Sequence, residues 1–442
     1  MYDPLVNLNP ANQALPQSYW LSTATLPVAG APLQGRHQAD VAIIGGGFTG
    51  LLTAYYLSTE FGMSCHVLEA NQVGFGASGR NAGFVLKGSG RLGYSQMADR
   101  WDLATAKGIY NEFSEAVARV DDLISRNKIA CEPQEKGYLK VAHNAKALTS
   151  LRGAAEFISR NFGDDAEFIS AGVFREQYMD HHQAFGALRL KDGFGVNPLK
   201  LLLGYKALAL GSGVTISEQS CVLDWREETT GHVLRTEGGE LHAKQVVCAG
   251  NGYTPKTFNT RLDNKFLPIL SNVIVTAPLT PAELVASGLH TRQVTMDTRI
   301  LKYYYRLLPD NRLLFGGRGA VWGKDAQNPV YGARLKEALN KCFPALTQTQ
   351  VAYNWTGWIA ASFDDMPHVF AQNGVGYSLG YCGAGVSFSA QAAYRLAQSL
   401  AGIETPNLPL YRQPLPSFPF TQMRRLGQWG YYHYGWLKDK WG

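Results

Sequence analysis

The feature that most constrains this chain is a glycine-spaced turn set between a buried strand and a helix. Val41–Ala42–Ile43–Ile44 is an apolar run of the kind a buried parallel strand shows, and it ends in Gly45–Gly46–Gly47. Leu51, Leu52, Ala54, Tyr55 and Leu57 then recur at helical spacing. Cys65–His66–Val67–Leu68 reads as a second strand that closes on Glu69. Strand, turn, helix and strand within about 30 residues make a βαβ unit. In Gly45-x-Gly47-x-x-Gly50 each glycine has a physical reason. Gly45 permits the tight turn, Gly47 lets the backbone approach a diphosphate, and Gly50 lets the helix lie close on the sheet. The helix N-terminus then offers free N–H groups to the anion. A carboxylate at Glu69 can accept both hydroxyls of a ribose and favours a free 2′-OH. Strand, helix and acid in their proper places read as a dinucleotide site rather than a chance turn.

Of the residues, 45% are hydrophobic and 17% charged, which excludes a disordered chain. A length of 442 residues suggests two or three structural units. The net charge of +6 is scattered, so no nucleic-acid footprint is expected. The cysteines stand singly with no C-x-x-C, which reads as reduced core residues rather than disulfides or a zinc site. The His181–His182 pair reads as a loop, and no metal site is expected. Met1–Pro16 lacks the pattern of a secretory signal, and no run of about 20 apolar residues occurs. A cytoplasmic protein is the expectation.

Residues 1–36 read as an extended arm anchored by Tyr19 and Trp20. Ser95–Arg160 is mostly helical in pattern, whereas Gly137–Val141, Asn272–Thr276, Tyr303–Leu308 and Arg312–Gly316 alternate like strands of an antiparallel sheet. Gln245–Gly250 and Gly376–Gly380 return to the buried-strand style, the latter followed by a helix from about Val386 to Leu400. The expected fold is therefore α/β: a Rossmann-like dinucleotide-binding domain assembled from discontinuous segments, joined to an α+β substrate domain with an antiparallel sheet. The boundaries read as 37–94 with 190–255 and 350–405 for the first, and 95–189 with 256–349 for the second. Residues 406–442 form an aromatic and basic tail.

Gly74-Phe75-Gly76-Ala77-Ser78-Gly79-Arg80-Asn81-Ala82-Gly83 suits a loop that wraps a long dinucleotide and brings backbone against a flat ring. With this segment and the run AIIGGGFTGLLTAYYL…VLEA, the chain resembles the glycine oxidase, sarcosine oxidase and D-amino-acid oxidase family of FAD enzymes. Within that family it resembles most the gamma-glutamylputrescine oxidoreductase branch, from Tyr19–Trp20 to about Pro419. The resemblance implies FAD, with Gly45, Gly47 and Gly50 at the pyrophosphate and Glu69 at the adenosine ribose. Ser78, Arg80 and Asn81 would lie along the cofactor towards the flavin. Val222, in a short apolar strand, would meet the adenine side, with Ala249 and Gly250 nearby. Gly380, Gly383, Gly385 and Val386 would bring a helix N-terminus to the flavin, where a helix dipole stabilises the negative charge of the reduced ring.

The resemblance also implies oxidation of a C–N bond in an amine or amino acid, by hydride transfer to flavin and hydrolysis of the imine. No residue stands out as a general base. Arg306, with a tyrosine from the same neighbourhood, is placed as a clamp on the substrate carboxylate; a structural ion pair is the alternative. Tyr253, Tyr305 and Trp358 are candidate walls of the substrate pocket, or core residues. No Cys occurs in Asn354–Trp358, where some relatives attach flavin, so noncovalent FAD is expected. Leu314 stands where some oxidases carry an oxygen-activating lysine, which leaves room for a quinone or carrier as electron acceptor.

In the tail, Leu426, Trp429, Tyr432 and Trp436 fall on one helical face, with Arg424, Arg425, Lys438 and Lys440 at its ends. Such a face suits the inner surface of a membrane, a partner subunit or the protein's own body. Two further readings share the cofactor motifs: a membrane-surface amino-acid dehydrogenase that passes electrons to quinone, and a non-catalytic flavin-bound assembly factor whose pocket is filled by side chains.

Overall fold

The computed structural model describes residues 1–442 except positions 8, 12, 165 and 442. The strand Gly35–Ile44 is the spine of the first sheet. It pairs in parallel with Cys65–Leu68 on one side and Gly239–Cys248 on the other. Thr215–Ser217 extends the sheet beyond Cys65–Leu68, and Val375–Leu379 then His368–Gln372 extend it beyond Gly239–Cys248. A hairpin, Asp224–Glu228 and Gly231–Arg235, branches from Gly239–Cys248. The decisive detail is register. Ile44 lies opposite both Leu68 and Cys248, so three parallel strands end together and place Gly45, Glu69 and Ala249 side by side.

The second sheet runs Val351–Ser362, Phe266–Thr276, Leu313–Arg318, Tyr304–Leu307, Val294–Asp297, Tyr138–Val141, Gly186–Leu190, Glu167–Ser170. It is antiparallel except where Val294–Asp297 meets Tyr138–Val141. The helices Phe48–Phe61, Leu103–Asn127, Pro198–Gly211 and Gly385–Leu400 supply the largest apolar cluster. Among the described residues, no helix is long and apolar enough to cross a membrane.

Three expectations need correction. Val222 is not in a strand: after Ser217 the backbone turns, with Gln219 N donating to Asn71 O (2.7 Å) and Ser220 N to Glu69 O (2.8 Å). Those bonds make residues 219–222 follow the Glu69 loop instead of continuing the ladder. The N-terminal arm has anchors beyond the buried Tyr19 and Trp20. The Tyr2 hydroxyl donates to Tyr253 O (2.9 Å), Trp358 Nε1 donates to Tyr2 O (2.7 Å), and Asp3 Oδ2 accepts from Gly323 N (2.9 Å).

The third correction concerns the terminal helix, Arg424–Trp441. It packs on the protein's own body, with only Tyr432 of the aromatic face turned partly inward, bonded to Gln428 (3.0 Å). Arg425 donates to Pro268 O (2.8 Å) and pairs with Asp3 (3.0 Å), and Gln428 and Gly435 are buried. Asp439 accepts the Ile300 and Leu301 N–H groups at 2.7 and 2.9 Å. A Cβ at Gly435 would come within 3.0 Å of Ile300 and Leu301, so a small residue sets this close approach. Leu426, Trp429 and Trp436 point outwards, 54, 44 and 57% exposed.

The loop that carries Gly74 is held from below by a buried ion pair, Lys206–Glu218 at 2.9 Å. Glu218 is fully buried and accepts Val73 N at 2.7 Å and Gly30 N from the arm. Removing one member of such a pair leaves an uncompensated buried charge, a loss of about 3–5 kcal/mol. Glu218→Gln is expected to lower unfolding stability by about 3 kcal/mol in urea denaturation. The double change Glu218→Leu with Lys206→Met stays destabilised, because two backbone N–H groups lose their acceptor.

Candidate active site

A long cleft crosses the ends of the three in-register strands. Its floor is Gly45–Thr49, one side Leu68–Ala70 and Ser220–Val222, the other Ala249–Asn251, and its far end Tyr381–Gly383 with Gly385 and Val386. Gly45 has φ +109°, a conformation that favours glycine. Gly50 lies behind the floor, where any Cβ would run into the Gly45 carbonyl, so it serves helix packing rather than the cleft. Gly47 caps Phe48–Phe61 without a side chain, and Ser78 Oγ accepts the Phe48 N–H at 3.0 Å. Glu69 accepts Gly46 N (2.7 Å) and Asn71 N (3.0 Å), one on each oxygen, which fixes its carboxylate at the cleft wall with lone pairs to spare. Burial pushes its pKa upwards.

At the other end Gly380 (φ +82°) and Gly383 (φ +109°) turn the chain into the helix Gly385–Leu400, whose N-cap Ala384 also offers no side-chain cap. Gly380 shapes the turn without lining the cleft; Gly383, Gly385 and Val386 line it. The Tyr381 hydroxyl bonds Thr49 Oγ1 (2.6 Å) and Ser378 Oγ (2.8 Å). It therefore ties two bare helix N-termini to one space, each carrying a partial positive charge. Sequence reasoning did not find this tie.

Arg80 is buried without an acidic partner among the described residues. Its Nη1 donates to Thr356 O (3.1 Å) and Nη2 to Phe75 O, while Nε has no acceptor. The guanidinium lies 4.9 Å from the Phe75 ring centre and 5.6 Å from that of Tyr253. Asn81 lines the cleft, yet its side-chain amide is spent on Ala77 O, Ser78 O and Gly83 N, so it holds the turn. Tyr253 forms part of the wall. Cys382 lies at the same end, and burial pushes its thiol up to about 11, so it stays protonated.

A second cavity opens off the cleft, sharing Ala77, Asn81, Ile359, Cys382, Gly383 and Val386 with it. Arg80, Phe84, Ser271, Val273, Met296, Lys302, Tyr304 and Arg318 complete the walls. Trp358 borders this cavity, but its ring is fully buried. The strand phase decides the rest. Tyr305 and Arg306 are neighbours on one strand and must point to opposite faces. Tyr305 enters the core beside Phe315 and Phe343. Arg306 gives its donors to Ala82 O (3.2 Å), Val196 O (2.6 Å) and Gln134, outside the cavity. The side chains that reach the space are Tyr304, Lys302 and Arg318, which sequence reasoning missed. The signal was present in Gly316, where any Cβ would collide with the Tyr304 ring.

Ser271 Oγ donates to Gly317 O (3.0 Å), so the Tyr304 hydroxyl, 2.6 Å away, gives its proton to Ser271. Tyr304 thus presents lone pairs to the cavity. Lys302 Nζ donates to Gly90 O (2.5 Å). Burial, with Lys140, Arg91 and Arg318 adding repulsion, pushes its pKa down to about 7. Leu314 is fully buried and lines neither space. Among the described residues no cluster suits a metal ion, and His181 is a loop residue whose ring stacks on Tyr305 at 5.4 Å.

The family model described as FAD dependent oxidoreductase matches residues 40–399. Gamma-glutamylputrescine oxidoreductase of Escherichia coli (strain K12) is 32% identical over 411 residues, covering 92% of this chain and 94% of that one. Sarcosine oxidase subunit beta of Rhizobium meliloti (strain 1021) is 26% identical over 383 residues, covering 82% and 84%. The crystal structure of glycine oxidase from Geobacillus kaustophilus superposes with a TM-score of 0.69 at 20% identity, over 87% of this chain and all of that one.

The donor set fits FAD. Two helix N-termini without side chains on their N-cap residues face one cleft, where they could hold a diphosphate, and the fixed Glu69 carboxylate at its wall keeps lone pairs that could meet a ribose. Glu69→Gln removes the charge and turns one of its two acceptor oxygens into an NH2 group facing a backbone N–H, so it is expected to weaken FAD binding by about 1.4 kcal/mol, tenfold in affinity. Fluorescence titration of the stripped protein with FAD is expected to show that loss without loss of folded structure.

Proposed function

The chain belongs to the family of FAD-dependent oxidoreductases, and from that premise we propose that it oxidises the C–N bond of a primary or secondary amine or amino acid. The observation that carries this reading is the open cavity beside the cofactor cleft, which holds Arg318 and Lys302 with no carboxylate paired to either among the described residues. Unpaired cations in a largely apolar space call for an anionic group on the ligand. The printed activities of the relatives, on gamma-glutamylputrescine, sarcosine and glycine, lie in the same class. A pocket filled by side chains would have favoured the assembly-factor reading; this one is open.

When bound, FAD supplies the acceptor for the hydride lost from the carbon next to nitrogen, and water then hydrolyses the imine. The protein's own part is binding and electrostatics. Arg318 offers a planar fork to a carboxylate. The Tyr304 oxygen accepts an amine N–H. Two nearby cations disfavour the ammonium form, so the amine is held neutral, as oxidation requires. Among the described residues no carboxylate or imidazole lines the cavity, and Lys302 Nζ is the one wall group there that can take a proton near neutral pH.

Anaerobic mixing of the holoenzyme with N-methyl amino acids, D-amino acids and γ-glutamylated polyamines tests the reading: flavin absorbance bleaches with members of one class. A panel that leaves the flavin oxidised overturns it. Lys302 is charged below about pH 7 and neutral above. Affinity for a carboxylate-bearing ligand is therefore flat below 7, falls as pH rises past 7, and levels off where the carboxylate-bound lysine deprotonates. Spectral titration with a non-oxidisable carboxylate measures this, and denaturation of the same sample is expected to release all the flavin, since it is held noncovalently.

We also propose that the outward face of Arg424–Trp441 meets an anionic membrane surface. Trp429 and Trp436 are exposed in line with Leu426, and Lys438 stands exposed at the far end. This would bring the enzyme to a membrane-borne acceptor such as quinone. Cosedimentation with phosphatidylserine vesicles is expected, with loss of about tenfold in Trp429→Ala/Trp436→Ala at unchanged FAD content. Vesicles that never retain the parent protein dispose of the idea.

A further inference from the structure

Beside the substrate cavity lies a second chamber, which has Leu86, Gly90, Met296 and Lys302 as shared walls, with Lys302 bonded to Gly90 O. This chamber lies between the strand Tyr138–Val141, the helices Tyr94–Arg100 and Ala145–Phe162, and residues 87–93. Two of its cations are neutralised from behind: Lys87 by Asp192 (2.6 Å) and Asp164 (2.9 Å), and Arg91 by Asp365 (3.2 Å). Two are not. Lys140 and Lys302 have no carboxylate at ion-pair distance among the described residues, and Asp297, the acid nearest Lys302 in effect, is committed to Arg299. Lys140 is held below its ordinary pKa by burial. Beside them stands the Tyr94 hydroxyl, on a residue 9% exposed, with no hydrogen-bond partner. Phe157, Ile158, Leu188 and Leu190 make much of the remaining wall apolar.

Two partly buried ammonium groups with no carboxylate at ion-pair distance among the described residues, one of them bonded to Gly90 O, and an unpartnered hydroxyl in one partly apolar chamber form an incomplete site, because a counter-charge is missing. We propose that the chamber is a subsite for a carboxylate remote from the oxidised C–N bond, received by Lys140, Lys302 and the Tyr94 hydroxyl. The substrate is then an elongated amine with an anionic far end: the nitrogen stands in the cavity bounded by Tyr304 and Arg318, and the chain passes Met296 and Gly90 to reach Lys140. Lys302, shared by both spaces, serves either end. This inference rests on the amine-oxidation reading and narrows its substrate class. Short amino acids would fill the first cavity alone and leave the chamber unmatched.

The test compares matched pairs, ω-amino acids of increasing length and γ-glutamyl amines against alkylamines of equal length, as reductants of the holoenzyme flavin under anaerobic conditions. The carboxylate-bearing member of the long pairs is expected to give an apparent Kd at least tenfold lower. Lys140→Met and, separately, Tyr94→Phe shrink that ratio, whereas Lys140→Arg retains most of it. A ratio near one in the parent protein, or an unchanged ratio in both Lys140→Met and Tyr94→Phe, overturns the proposal. Binding of glutarate and adipate, read as a shift of the oxidised flavin spectrum, gives an arm free of turnover. Lys140-dependent binding there supports the subsite even if no amine reduces the flavin, an outcome that would defeat only the oxidation reading. Diacid binding that Lys140→Met and Tyr94→Phe both leave unchanged defeats the subsite.

Discussion

Ile44, Leu68 and Cys248 end at the same height, and nearly everything about the site descends from that shared register. Parallel strands fix the height of their C-terminal ends through hydrogen bonds that slant evenly along the ladder. Once those ends coincide, Gly45, Glu69 and Ala249 have no freedom to be elsewhere. The helix that follows Gly47 begins at the same row, with only its Phe48 N–H taken up, by Ser78 Oγ. A second bare helix end, Gly385–Leu400, is tied to the first through Tyr381 and Thr49. The cleft is thus an electropositive trough made largely from backbone, which is why so few charged side chains are needed to hold a dinucleotide.

The substrate side works by the opposite principle. Its positive charge comes from side chains, Arg318 and Lys302 with Lys140 beyond, carried by strands or a strand-flanking loop of the antiparallel sheet. Each is partly buried and, among the described residues, has no carboxylate at ion-pair distance. Burial without pairing is unfavourable by several kcal/mol for each ion. A ligand that brings negative charge therefore gains affinity from an imbalance already present in the fold.

The backbone trough was legible in the sequence because its causes are local. A glycine that must avoid a carbonyl, a strand that must be buried and a helix that must start uncapped all leave marks within thirty residues of one another. The substrate side was hidden because its causes are phase and distance. Among Tyr303–Tyr304–Tyr305–Arg306 the choice of inward residue depends on which face of the sheet meets the cleft, and only pairing with Leu313–Arg318 sets that. The missed cue was Gly316, whose missing side chain makes room for Tyr304. Arg318 had no motif at all. Val222 was misplaced because backbone bonds to Asn71 and Glu69, set by the Glu69 loop, override the strand-like look of its neighbours. The terminal helix shows a third kind of failure. Its aromatic face suited a membrane, a partner subunit or the protein's own body, and the pattern could not choose among them; the ion pair to Asp3 and the small Gly435 determine how it seats.

The tie between Thr49 and Tyr381 locks two like-signed helix ends together over one trough, beside the unneutralised Arg80. Emptied, that arrangement stores mutual repulsion; filled by a diphosphate, the repulsion becomes attraction. Folding and coenzyme uptake are consequently linked by mass action. A cell that makes the polypeptide faster than it makes riboflavin derivatives would accumulate a weaker, shorter-lived form, so the standing amount of working catalyst would follow vitamin supply as closely as it follows transcription.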